Sequence, residues 1–309
     1  KNKSMIDENI GLENRIGLIG CGRWGKNILR DLITLNCHVF VAEKKATERQ
    51  NATDLGAKAV FEKIEYLPDV DGYIVATETI NHYDVIVRLL KNNKPIFSEK
   101  PLTNTLQKTE DLLRLGSKQL FVMHKWRYHP GVEKIAEIVS SNQYGKLVHL
   151  DVERKQYGIP HKDVDASFIL LPHDLSIALH IMGHLPEIKY AFGNYDANRK
   201  IHYLNINLGT NPTCKIEISD RFTKNHRMVH AQLEHSSILL DDPLSDHIQI
   251  KESNGDILLT PIDIEYPLLL ELKTFLRFIK GGAAPMTTLN EEVEIMKVLT
   301  LARNAVFTN

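Results

Sequence analysis

This chain of 309 residues predicts an α/β fold in two parts. A parallel sheet covered on both faces by helices comes first, and an α+β region with an open, mainly antiparallel sheet follows. Three observations carry that reading. From residue 15 to about 123, short apolar runs alternate with segments whose apolar residues recur at helical spacing, as buried parallel strands and their crossover helices do. After about residue 142 the period changes to two, which is how half-buried antiparallel strands read. At the first strand-to-helix junction stands Gly20-Cys21-Gly22-Arg23-Trp24-Gly25, a G-x-G-x-x-G between an apolar run and a helix pattern.

Ile16-Gly17-Leu18-Ile19 marks a strand over 15–19. Ile28, Leu29, Leu32, Ile33 and Leu35 then predict a helix over 24–35, with Asn36 as its stop, and a second strand over 37–42. In such a unit the first glycine permits the tight turn, the second lets backbone approach a pyrophosphate, and the third allows helix and strand to pack closely. The free N–H groups and positive dipole end of the helix hold the phosphates. Glu43 closes the second strand about 20 residues beyond the glycines, where an acidic residue accepts hydrogen bonds from the adenosine ribose. Its charge repels a 2′-phosphate and favours NAD. Lys44, Lys45 and Arg49 follow closely, which keeps NADP as the alternative. A helix over 46–55, strands over 72–76, 95–98 and 120–124, and a helix over 81–91 complete the first part.

In the second part, Val148, Leu150 and Val152 alternate with polar neighbours, as do Leu204, Ile206 and Leu208, then Ile216 with Ile218 and Ile248 with Ile250. An apolar helix is expected over 164–182, ended by Gly183, and two more at 267–279 and 290–306. Phe275, Leu276 and Phe278 read as core rather than as a binding face. The expected organisation is a flexible extension over 1–14, a dinucleotide-binding domain over 15–123, and a substrate-binding and oligomerisation domain over 124–309. The last helix, about 290–306, is placed to dock back on the first domain.

Composition narrows the function. Lysine plus arginine number 38 against 39 acidic residues, so no basic excess marks a nucleic-acid or anionic-membrane partner. Apolar runs such as 168–171 fall far short of the roughly 18 residues of a membrane span. The polar 1–14 lacks a signal peptide's apolar core, and the expectation is a soluble, cytoplasmic protein. Cys21, Cys37 and Cys214 are too few and scattered for a disulfide framework and read as small buried hydrophobes. His180 and His184 stand at a metal-binding spacing, but Gly183 breaks the helix between them and no third ligand is evident, so no metal is expected.

Three strings together resemble the Gfo/Idh/MocA oxidoreductases: the glycine turn, Ala76-Thr77-Glu78-Thr79-Ile80-Asn81-His82, and Ser98-Glu99-Lys100-Pro101-Leu102. His124 with Arg127-Tyr128-His129-Pro130, and Leu171-Pro172-His173-Asp174-Leu175-Ser176, add to the likeness, which runs in order over residues 15–309. The resemblance implies a Rossmann domain, an open-sheet second domain that shapes the substrate pocket and forms a dimer or tetramer, and hydride transfer between NAD(P) and an alcohol carbon of a sugar or cyclitol. The Pro-His-Asp-Leu-Ser stretch points within that class to nucleotide sugars.

Oxidising a secondary alcohol needs a base within hydrogen-bond reach of the hydroxyl. Lys100, just past the strand over 95–98, is the first candidate. A free lysine, with a pKa of about 10.4, is a poor base at neutral pH, and partial burial with the positive ring of NAD⁺ is expected to lower it. His173 is the second candidate, as proton relay or hydroxyl holder. The resemblance implies an aspartate four residues before that histidine, and this chain has Ile169 there, which removes the carboxylate that would orient the imidazole. Arg23 and Trp24 in the glycine turn, and Thr77, His82 and Glu99, resemble cofactor-side residues. His82 could equally cap or pack its helix. Arg127, Tyr128 and His129 resemble pocket-wall residues. Arg154, Tyr157 and His161 could reach substrate from the second domain, or sit as ordinary surface-loop residues; an arginine there suits a phosphate or carboxylate. The other readings are a non-catalytic NAD(H)-binding regulator, which Ile169 keeps open, and a redox-neutral enzyme using bound NAD transiently for elimination or glycoside hydrolysis.

Overall fold

The structure is a computed structural model that describes residues 14–116, 118–159, 164–263 and 265–308. The expected extension over 1–14 lies outside them apart from Asn14, whose carbonyl accepts a hydrogen bond from the His38 N–H. The chain divides into two compact units, residues 1–123 with 268–292 and residues 124–267 with 293–309.

The first unit is built on β1 (Arg15–Ile19), β2 (His38–Ala42), β3 (Ala59–Phe61), β4 (Gly72–Val75), β5 (Ile96–Glu99) and β6 (Leu120–Met123), with α1 (Arg23–Thr34), α2 (Ala46–Asp54), α3 (Thr79–Leu90) and α4 (Leu106–Arg114) between them. The strands form one parallel sheet in the order β3-β2-β1-β4-β5-β6. β1, β4 and β6 are buried almost throughout, which explains their near-continuous apolar runs. The order reverses between β1 and β4, so this sheet has a switch point at the carboxyl end of β1, beside the glycine turn. Sequence reading left out β3 and α4. β3 is three half-buried residues at the sheet edge, too short to show a period. α4 is mostly polar and starts from Thr105, whose side chain accepts from the Lys108 N–H.

The second unit contains α5 (Pro130–Ser141), β7 (Leu147–Tyr157), α6 (Ala166–Met182) and seven further strands: β8 (Ile188–Tyr195), β9 (Ile201–Leu208), β10 (Thr213–Ser219), β11 (Arg221–Leu233), β12 (Ser236–Leu240), β13 (His247–Glu252) and β14 (Ile257–Pro261). The sheet order is β14-β13-β12-β11-β7-β10-β9-β8, antiparallel except for the β7–β10 pair. Along β7, Leu150, Val152 and Arg154 are buried while Asp151, Glu153 and Lys155 are half-exposed. The buried face packs with α5 and α6 in one core. The other carries ion pairs such as Lys155 with Glu153 and with Glu217, both at 2.7 Å. α6 is apolar on all sides and has only a few half-buried positions, and it ends at Gly183 with φ +77°.

α7 (Pro267–Ile279) joins the first unit: Leu268, Leu272, Phe275 and Leu276 are buried in the core that contains β1 and α1, with Phe275 stacked on Phe97 at 5.0 Å. The first turn of α8 (Leu289–Thr308), up to Glu292, counts with the first unit, where Leu289 joins the core; Ile295, Val298, Leu299, Ala302 and Val306 belong to the core of the second. The expectation placed the last helix on the first domain; its first turn counts there, and α7 does so from Leu268 onward. Both helices have an apolar face, so periodicity could not say which sheet each would cover. All three cysteines are buried. Among the described residues no helix is long and apolar enough to cross a membrane, and no group of three or more His, Cys, Asp or Glu could hold a metal ion.

Candidate active site

In the first unit the glycine turn leads from β1 into α1. Gly20 has φ +88°, and a Cβ there would sit 2.7 Å from the Ala76 carbonyl oxygen, at the end of β4. A Cβ on Gly25 would overlap the Gly20 carbonyl. Gly22 differs: a Cβ there would meet nothing within 4 Å. Protein packing explains the first and third glycines and leaves the second facing open space. Gly22 is also the N-cap of α1 and offers no side-chain cap, and an uncapped helix N-terminus is a place where an anion is held. The turn therefore fits a dinucleotide pyrophosphate.

Glu43 follows β2, and its carboxylate accepts from the Cys21 N–H at 2.8 Å and from the Lys45 N–H at 2.9 Å. Tied to the turn in this way, it stands where a ribose acceptor is needed. Arg49, the candidate partner for a 2′-phosphate, donates instead through Nη1 to the carbonyls of Glu43 and Lys44, at 2.8 and 2.7 Å. Lys26 pairs with Glu48 at 2.6 Å, and this hydrogen bond holds the Glu48 carboxyl below the usual carboxylate range. Arg23 is exposed at the first position of α1.

The segment after β5 lies at the same sheet edge, because all the strands run parallel. The Trp24 indole N–H donates to Glu99 Oε1, and the Lys100 N–H donates to Glu99 Oε2 at 3.2 Å. Lys100 is half-buried, and its peptide bond to Pro101 is cis. His82, 1% exposed, stands between the Pro101 and Thr77 carbonyls, with each ring nitrogen 3.0 Å from one of them. It links the chain after β4 to the chain after β5. Glu292, also buried, accepts from the Leu102 N–H at 3.2 Å. The structure thus gathers Gly20, Gly22, Gly25, Trp24, Glu43, Thr77, His82, Glu99 and Lys100 at the carboxyl ends of β1, β2, β4 and β5.

In the second unit Arg127 is 1% exposed and donates through Nε to the Ser176 hydroxyl at 2.7 Å, and Tyr128 is 6% exposed. Arg154 is buried and bonds Asp174 Oδ1 through Nε at 2.8 Å and Nη2 at 2.7 Å. His173 is half-buried on α6, and Ile169, one turn earlier, is part of the core. Tyr157, at the end of β7, is 75% exposed and by strand alternation falls on the opposite face from Arg154, so these two do not come together. His161 lies outside the described residues. His180 Nε2 lies 2.8 Å from Glu133.

Sequence reasoning missed several residues. Glu292 and Arg227 are far in sequence from the residues they serve, and nothing local announces them. Asp174 stands inside a buried and mostly apolar helix, where a carboxylate must find a cation, and Arg154 is that cation. Arg227, half-exposed on β11, sits opposite Arg154, and both guanidiniums lie against the Trp126 ring.

Residues 14–125 match a family described as oxidoreductases with an NAD-binding Rossmann fold. Among curated proteins, the chain is 26% identical over 201 residues to a myo-inositol 2-dehydrogenase of Thermotoga maritima, covering 60% of each chain. It is 26% identical over 181 residues to inositol 2-dehydrogenase 2 of Saccharopolyspora erythraea, covering 54% of this chain and 53% of the relative. The matched stretch thus spans little more than half the length of these relatives. Among solved structures, the fold is shared with UDP-N-acetylglucosamine 3-dehydrogenase from Acidithiobacillus ferrooxidans, at a TM-score of 0.83 and 19% identity over 96% of this chain and 98% of that one.

Proposed function

We propose that this chain is an oxidoreductase of the Gfo/Idh/MocA type, as the match over residues 14–125 supports, and that it is an NAD-dependent dehydrogenase or ketoreductase acting on a CH–OH group of a sugar or cyclitol, nucleotide sugars included. One observation carries the reading: the cradle at Gly22, the Glu43 carboxylate and the Glu99-Lys100 pair share one edge of one parallel sheet. A pyrophosphate-binding turn and a candidate base are thereby offered to a single bound dinucleotide and its substrate.

NAD, when bound, supplies the acceptor or donor of the hydride. Gly22 and the N-terminus of α1 hold the pyrophosphate, and Glu43 accepts from the ribose hydroxyls. With Arg49 engaged by two carbonyls, Glu43 sets the preference for NAD over NADP. Lys100 takes the hydroxyl proton as the carbon is oxidised and returns it in the reverse direction. Glu99 fixes the backbone of Lys100 through its N–H, and His82 holds the following carbonyl. In the second unit the resemblance assigns His173, Arg127, Tyr128 and Arg154 to substrate, whereas Tyr157 falls on the opposite face of β7 from Arg154.

The test is absorbance at 340 nm with NAD⁺ and NADP⁺ against free sugars, inositols and nucleotide sugars, with Lys100→Met alongside. The expected result is reduction of NAD⁺ by one substrate, lost in Lys100→Met while cofactor binding persists. Equal activity in the variant removes Lys100 as the base. Cofactor binding with silence across the panel favours the second reading, a regulator that binds NAD(H) without turnover, for which buried Ile169 is the supporting observation.

A further inference from the structure

We propose that Arg227 and Arg154, gathered at Trp126 in the second unit, form a binding site for an oxyanion carried by the substrate, a phosphate or a carboxylate. β7 and β11 run antiparallel, and their register sets Arg154 directly opposite Arg227. The two guanidinium carbons lie 5.0 and 4.9 Å from the centre of the Trp126 ring. Like charges directly opposed on neighbouring strands destabilise a sheet. One carboxylate answers them: Asp174, fully buried, whose Oδ1 takes both bonds from Arg154. Among the described residues Arg227 has no carboxylate within ion-pair distance.

The surroundings resist this second charge. Burial, then the neighbouring Arg154, push the Arg227 guanidinium down to about 10, which leaves it charged at neutral pH. Arg227 is only half-buried, so its fork reaches the recess that it lines with Trp126, Arg154, Asp174 and Ile177. A planar guanidinium matches the paired oxygens of phosphate and carboxylate, and an arriving anion would relieve the repulsion between the arginines. A residue kept purely for packing would not need a charge here, and a purely structural cation–π role predicts the opposite stability effect from an anion site. The assignment of the anion to the substrate rests on the oxidoreductase reading; the anion site itself does not.

The test needs no turnover. Trp24 and Trp126 are the two tryptophans of the chain, so Trp24→Phe leaves Trp126 as the fluorescent reporter. This protein is titrated with inorganic phosphate and, separately, with acetate, at constant ionic strength set by chloride, with calorimetry in parallel. Saturable binding of one anion is expected, and the responding arm distinguishes phosphate from carboxylate. Arg227→Gln should weaken it at least tenfold, Arg227→Lys should retain part of it, and the melting temperature of Arg227→Gln should equal or exceed that of the parent. The proposal is overturned if neither anion binds beyond chloride, or if Arg227→Gln binds as tightly as the parent. It is also overturned if that variant melts lower with its anion affinity unchanged. NAD⁺ reduction is read on the chain with Trp24 intact: anion binding without NAD⁺ reduction by any substrate there sinks the oxidoreductase reading and spares the site, and NAD⁺ reduction without anion binding does the reverse.

Discussion

Gly22 and Gly25 lie three positions apart in one turn, yet only one of them is demanded by the protein's own packing. Alanine at Gly25 would drive its methyl into the Gly20 carbonyl, and the expected cost is about 1–3 kcal/mol or more of stability. Alanine at Gly22 meets open space at an ordinary φ of −68°, so stability should change by no more than about 1 kcal/mol while NAD affinity falls at least tenfold. Thermal melts with and without NADH separate the two variants. Equal loss of stability in both would mean that the second glycine serves packing rather than a ligand. The spacing named these glycines and Glu43 because the motif is local. It could not name Arg227 or Glu292, whose partners come from strands and helices remote in sequence.

Helix α5 begins at a residue with two roles. His129 resembled a pocket-wall residue and does line the recess at Trp126, and it is also the N-cap: its Nδ1 accepts from the Gly131 N–H at 3.1 Å and its Nε2 faces the Pro243 carbonyl at 2.8 Å. Those two partners require the neutral ring with its proton on Nε2. Burial, the largest influence, lowers the pKa of His129 below the ordinary imidazole value. The unfolded chain then binds a proton that the native state does not. Stability is therefore full above about pH 6.5 and falls as pH drops through and below that value. His230, on β11, is shifted the same way by burial and adds to the slope. Unfolding between about pH 7 and about pH 5.5 should steepen accordingly, and His129→Asn, which keeps a cap but cannot titrate, should flatten the curve. An unchanged slope would remove His129 from the account.

The first unit is assembled from two stretches of chain, 14–123 and 268–292, separated by most of the second. Four buried α7 side chains, Leu268, Leu272, Phe275 and Leu276, cover its sheet. At about 1.5–3 kcal/mol each they contribute on the order of 6–12 kcal/mol, comparable to the whole net stability of a domain. A fragment of residues 14–123 should therefore fail to unfold cooperatively, and the same fragment joined to 268–292 should recover a cooperative melt. If the short fragment melts cooperatively and binds NADH, α7 is dispensable to the unit.

Sequence alone was sufficient for the strand and helix alternation, the change of period after residue 142, the glycine turn and Glu43, because each is written in residues that are neighbours along the chain. Elements with few apolar residues, such as the three-residue β3 and the short, mostly polar α4, escaped it. Tertiary structure decided which apolar helix covers which sheet, that Arg49 spends its guanidinium on carbonyls, that Asp174 belongs to Arg154, and that Arg227 stands against Arg154 at Trp126. Burial and pairing between distant segments depend on the register and packing of the folded chain, and one-dimensional periodicity holds no record of either.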